Sequence, residues 1–139
     1  MRVADLLKKK GSAVVTLPSS ATLGELLETL DDNKIGAVVV LDGETVVGIV
    51  SERDVVHHLR QGSTPEAALT SLMSTEVLTC GTEDELTDLA STMTERRHRH
   101  LPVVEDGTLK GIVSIGDVVK ARLDDLEAER DHLESYLRQ

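Results

Sequence analysis

The chain has 139 residues, enough for one compact domain or for two small halves sharing a core, and its formal net charge is −10. That charge repels a polyanion, and with Tyr136 as the only aromatic residue there is no stacking platform for bases, so a nucleic-acid partner is not expected. Cys80 is alone, the opening MRVADLLKKKG holds no signal-like apolar run, and no stretch approaches the roughly 18 apolar residues of a membrane span; a soluble, cytoplasmic protein is expected.

An N-terminal helix is expected over Val3–Lys9, followed by a short strand over Ala13–Leu17. Leu23, Leu26, Leu27 and Leu30 then mark one face of a helix, with Thr22-x-x-Glu25 as a capping box at its start. Two β-branched runs, Ala37–Leu41 and Thr45–Val50, flank Asp42-Gly43 and read as a hairpin. A second helix starts near Asp54. Thr64-Pro65-Glu66 then opens a further helix reaching about Met73, with proline at its first position.

The pattern now repeats. Sliding the chain by 63 positions lays residues 14–60 on 77–123 with fourteen identical pairs, among them Val14/Val77, Leu23/Leu86, Leu26/Leu89 and the block GIVSERDVV (48–56) on GIVSIGDVV (111–119). The second copy is expected to contain a strand at Val77–Cys80 and a helix bearing Leu86, Leu89, Ala90 and Met93. A hairpin (Leu101–Val104, Leu109–Val113) follows around Asp106-Gly107, and a helix from near Asp117. Thr82-x-x-Glu85 also fits a capping box, three positions out of register with Thr22. Beyond Val119, Leu123, Leu126, Leu133 and Leu137 form a short a/d seam with Arg130 at the missing position. The seam favours a dimer contact, since about two and a half heptads are marginal as an isolated helix; a helix folded back on its own domain is the alternative.

In GIVSxxD the apolar triplet ends a strand, and Ser and Asp sit where the next helix begins. Such a junction favours an anion near the free amides, and its carboxylate can accept the two hydroxyls of a sugar diol. The plainer alternative is that Ser51 and Ser114 are N-caps and that Asp54 and Asp117 complement the helix dipole. Arg53 is out of place at a helix start unless it meets an anion or an acid such as Glu52 or Asp54, and the second copy has Gly116 there. Arg96-Arg97-His98-Arg99-His100 is a local anion attractor in an acidic protein, although Arg96 and Arg97 also suit a solvated helix end. His98-x-His100 has a metal-like spacing but no accompanying Cys or carboxylate cluster, so no metal is expected. His57-His58 read as surface and Cys80 as a buried strand residue. Without a Ser-His-Asp order, a P-loop or a G-x-G-x-x-G, the chain is poorly equipped as an enzyme, and no catalytic residue is assigned.

Two β-α-β-β-α units, each with a G-I-V-S-x-x-D junction, and HLPVV at 100–104 together resemble a tandem cystathionine-β-synthase (CBS) domain pair, or Bateman module. S-E-R-D with R-H-L-P-V is similar to small stand-alone bacterial members, and the resemblance covers Val3 to Leu123. It implies an α+β fold of the α/β type found in CBS pairs, with two repeats packed in approximate two-fold symmetry. The repeats would span residues 1–63 and 64–123, with an amphipathic helical extension over 124–139. It further implies a regulatory, non-catalytic module that binds an adenosine ligand (AMP, ADP, ATP, NAD or S-adenosylmethionine) between the repeats, forms a homodimer and signals to a protein partner. Carried over by position, Asp54 and Asp117 would hold ribose hydroxyls, and Ser51 and Ser114 would approach phosphate. Thr16, Thr79, Ala37, Val38, His100 and Leu101 would line adenine pockets. Arg53 and Arg99 would meet phosphates, with Lys10 a weaker candidate. Because Ile115-Gly116 replaces Glu52-Arg53, unequal clefts are expected, the first being the stronger.

Overall fold

The computed structural model describes residues 1–138; Gln139, the last residue of the expected extension, lies outside them. The order of elements is α1 (Val3–Lys10), β1 (Thr16–Pro18), α2 (Leu23–Asn33), β2 (Ala37–Asp42), β3 (Thr45–Ser51), α3 (Glu52–Arg60), a 3₁₀ turn (Leu69–Ser71), α4 (Leu86–Arg96), β4 (His100–Glu105), β5 (Thr108–Ser114) and α5 (Ile115–Leu137). β1 runs parallel to β2, which pairs antiparallel with β3; β4 and β5 form the matching antiparallel hairpin of the second repeat.

The repeat is legible in the registers. Ala37 faces Ser51 across the first hairpin and His100 faces Ser114 across the second, with a bulge two-thirds of the way along each. The turns differ by one residue from the sequence expectation in the first copy: Asp42 pairs with Thr45, so Gly43-Glu44 makes the bend, while Asp106-Gly107 bends the second hairpin as expected. Gly43 has φ +62 and Asp106 and Gly107 have φ +51 and +76, the left-handed values that two-residue hairpin turns demand.

Three further expectations are corrected. Val77–Cys80 is not a strand: Cys80 alone bridges to Val103, and Pro102, having no N–H, supplies no donor to extend that parallel pairing backward. Thr82 does not cap α4, whose N-cap is Glu85, the residue in register with Thr22. Residues 64–73 do not form an α-helix. Instead their carbonyls satisfy the start of α2: Leu23 N–H donates to Ala67 O (2.9 Å) and Gly24 N–H to Pro65 O (2.9 Å). In the second repeat the N-terminus does the same, with Leu86 N–H donating to Met1 O (3.0 Å).

Each repeat is therefore closed by a segment preceding the other in sequence. Val3, Leu6 and Leu7 of α1 pack with Leu86, Leu89, Leu101, Val103 and Val113 of the second repeat, whereas Leu69 and Leu72 pack with Leu23, Leu26, Val38, Val40 and Val50 of the first. The two halves meet through β3 and β5. With no Phe or Trp in the chain, both cores are built from Val, Leu, Ile, Ala, Met and Cys80. α5 is a single helix of 23 residues that continues the second repeat's helix straight into the extension, without folding back. Among the described residues no helix is long and apolar enough to cross a membrane.

Candidate functional site

Both GIVSxxD junctions fold alike. Ser51 caps α3 and Ser114 caps α5, each with a complete capping box. Asp54 Oδ2 accepts from Ser51 N–H (2.9 Å) and Ser51 O–H (3.1 Å), and Asp117 Oδ2 accepts from Ser114 N–H (2.9 Å). The capping role is thus realised in both copies. It leaves Oδ1 of each carboxylate without a hydrogen bond among the described residues, at a helix start where anions are favoured.

The surroundings of the two carboxylates differ. Asp54 faces a cleft of about 850 Å³ lined from the first repeat by Gly36, Ala37, Ile49, Ser51, Glu52 and Arg53, and from the second by Arg97, His98, Arg99 and His100, with Ser74 of the connector completing it. A cleft of this size accommodates a small-molecule ligand. Arg53, Arg97 and Arg99 have no acidic partner within 4 Å among the described residues. Three unpaired guanidinium groups against the carboxylates of Asp54 and Glu52 make this cleft a cationic spot on an acidic protein.

Asp117 instead lines a smaller cavity of about 290 Å³ beside α1, together with Lys9, Lys10, Lys120 and Asp124. Lys10 Nζ lies 2.7 Å from Asp117 Oδ2, and Lys9 pairs with Asp124 at 3.7 Å. Burial alone would raise the Asp117 carboxyl, but the bonds from Lys10 and the Ser114 amide outweigh it and hold the group below the ordinary carboxylate range. His100 lies between the two carboxylate sites. Its burial lowers it below the usual imidazole value, more than the Asp117 charge raises it, so it is neutral at neutral pH.

Of the residues singled out in the sequence, the first cleft gathers Ala37, Ser51, Arg53, Asp54, Arg99 and His100. Lys10 and Asp117 meet beside α1. Val38 and Leu101 are fully buried one residue inside the strand starts, where only their backbone can serve a ligand. Thr16 is held in the β1–β2 ladder and Thr79 is exposed; neither they nor Ser114 line either cavity. The cleft also takes in Gly36, Ile49 and Ser74, which the sequence does not mark as ligand-contacting, and Glu52, Arg97 and His98, which it marks only by their charge. Arg97 both ends α4, in the left-handed conformation with φ +57, and lines the cleft, so the helix end itself brings a cation there. Ser74 arrives through its bridge to Ile49, a tertiary contact without a local signature. Cys80 is buried and its thiol is pushed up to about 12, chiefly by burial and then by the Asp84 charge, which removes it as a nucleophile. No His/Cys/Asp/Glu cluster able to hold a metal occurs among the described residues.

The CBS domain family model matches residues 3–61 and 69–124. The crystal structure of a CBS-domain containing protein from Agrobacterium tumefaciens is 44% identical, with TM-score 0.84 over 88% of this chain and 99% of that one. A CBS domain protein from Pyrobaculum aerophilum, solved in complex with AMP, is 29% identical with TM-score 0.77 over 84% of this chain and 89% of that one. A mitochondrial CBS domain-containing protein of Arabidopsis thaliana is 27% identical over 97% of this chain and 71% of its own length. The chain spans 39% and 32% of two longer archaeal relatives.

Proposed function

The chain belongs to the CBS-domain family, and from that premise we propose that it is a non-enzymatic sensor binding an adenine nucleotide (AMP, ADP, ATP or NAD) in the Asp54 cleft. The observation that carries this reading is the meeting of Asp54 with Arg53, Arg97 and Arg99 in one cleft of about 850 Å³. The free oxygen of Asp54 suits a ribose diol, because an ionised carboxylate only accepts and two adjacent hydroxyls donate together. Arg53 and Arg99, aided by the amides that open α3, suit phosphate. Backbone groups at Ala37-Val38 and His100-Leu101, the starts of β2 and β4, suit an adenine edge. The AMP complex of the Pyrobaculum protein supports the ligand class.

Thermal unfolding tests the reading. Saturating nucleotide should raise the melting temperature, since a ligand present at a hundred times its Kd stabilises the folded state by about 2.7 kcal/mol. A melting temperature indifferent to AMP, ADP, ATP and NAD overturns it.

The relay of this signal we assign to a homodimer and a regulated protein partner. Leu123, Leu126, Leu133 and Leu137 stand exposed along α5, with Val119 preceding them at the same spacing, a row too apolar for a solitary helix surface. The same row favours a second reading, a homodimerisation module whose ligand sites are degenerate. In sedimentation experiments Leu126→Glu combined with Leu133→Glu should convert a dimer to monomer; a dimer that survives both changes would place the interface elsewhere.

A further inference from the structure

We propose that Lys10 bars the second repeat's carboxylate to ligand, making it the residue that restricts this chain to one nucleotide per subunit. The inference rests on the reading of Asp54 as a ribose-binding carboxylate and extends it to the unequal behaviour of its repeat-mate.

Asp54 and Asp117 occupy the same place in the same motif, and each accepts its own serine's N–H at 2.9 Å. They differ in their cation. Lys10 Nζ sits 2.7 Å from Asp117 Oδ2, with the two side chains 32% and 22% exposed, whereas no Lys or Arg lies within 4 Å of Asp54 among the described residues. In the first repeat the connector takes the place of α1, with Met73 packed on Gly48 as Leu7 is on Gly111, and it brings no cation to Asp54 among the described residues.

The ammonium group is held in place by the fold. α1 is anchored in the second repeat's core through Val3, Leu6 and Leu7, and Lys9 pairs with Asp124 further along α5. The backbone that carries Lys10 is thereby fixed opposite Asp117, so a diol arriving at Asp117 must displace a partly desolvated cation already bonded to it. The positions that supply guanidinium groups to the first cleft supply none to the second. Gly116, Lys34 and Gly36 stand where the first cleft has Arg53, Arg97 and Arg99. Once Lys10 is gone, the Asp117 carboxylate is left unpaired at a helix start, with Lys120 and the Lys9–Asp124 pair lining the same cavity, and its oxygens suit the diol of a nucleoside.

Calorimetric titration of the full chain with AMP and with adenosine tests this. Wild type should take up one equivalent. Lys10→Ala should take up a second, at least tenfold tighter than any second event in wild type, and Asp117→Asn added to it should remove that second equivalent. Lys10→Arg, which keeps the ion pair, should behave as wild type. One equivalent in Lys10→Ala, or two already in wild type, overturns the proposal while leaving the nucleotide reading intact. No binding to wild type refutes the nucleotide reading for the first cleft; Lys10→Ala then decides the present one, sustained by uptake that Asp117→Asn abolishes and overturned by none. Carboxyl NMR provides a ligand-free check that the variants remain folded and that the pair exists: Asp117 should titrate higher in Lys10→Ala than in wild type, and unchanged titration overturns the pairing on which the proposal stands.

Discussion

Replacing Asp54 with asparagine is expected to weaken AMP binding about 100-fold, while the same change at Asp117 leaves it within about twofold. A hydrogen bond to a charged acceptor contributes about 1.5–3 kcal/mol, so two ribose hydroxyls losing their carboxylate forfeit at least ~3 kcal/mol, or ~100-fold in Kd. Asparagine keeps an oxygen for the Ser51 amide and the N-cap geometry, so α3 loses only the dipole complement of a first-turn charge, typically about 0.3–1 kcal/mol. The affinity loss therefore cannot be attributed to an unfolded helix. Asp117 is already engaged by Lys10, and removing its charge alters a site that holds no nucleotide in this reading. Calorimetry on the two variants separates the outcomes. Equal losses would show two working clefts, and no loss at Asp54 would remove the ribose assignment altogether.

Much of the fold could be read from the sequence because the duplication prints the local signals twice. Ser51 with Asp54 and Ser114 with Asp117 are local, spaced within one helical turn, and both capping boxes form as their pattern indicates. The hairpins follow for the same reason. What could not be read depends on contacts between distant parts of the chain. Thr64-Pro65-Glu66 has a sound helix-start signature, yet the backbone there is drawn to the open amides of α2, so a tertiary partner overrides local propensity. The packing of α1 on the second repeat is equally invisible in periodicity, because an amphipathic stripe does not say which core it faces. That exchange brings Lys10 to Asp117. In the sequence Lys10 was one of three consecutive lysines and a weak phosphate candidate; in the fold it is a counter-ion. A difference in charge around the two carboxylates was legible from Gly116, but the lysine that pairs with the second was not.

The exchanged packing also explains why each repeated motif begins with glycine, and here a large effect on stability is expected. A Cβ at Gly111 would stand 2.6 Å from Leu7 Cδ2 and 3.0 Å from Leu7 Cδ1; at Gly48 it would meet Met73 Sδ at 2.5 Å and the Ser74 carbonyl at 3.1 Å. Glycine is needed for this close approach, since neither position has a positive φ. Leu7 is a buried, branched side chain on a helix whose first N–H groups are tied to the second repeat, Val3 to Asp84 O and Ala4 to Thr82 O at 2.9 Å each, so it has little room to yield. Overpacking of this kind costs about 1–3 kcal/mol, and at roughly 4 °C per kcal/mol for a chain of this size Gly111→Val should lower the melting temperature by about 4–12 °C. Gly48→Val should cost a similar amount, because the Met73 thioether can turn aside but the Ser74 carbonyl, held by the Ile49 N–H, cannot. Leu7 and Lys10 are three residues apart on α1 and lie on neighbouring positions of one face, so pushing Leu7 off β5 also draws Lys10 away from Asp117. Gly111→Val should accordingly raise the Asp117 titration midpoint as well as destabilise the fold, whereas Gly48→Val should leave it unchanged. An unaltered midpoint in Gly111→Val would separate the packing of α1 from the position of its lysine.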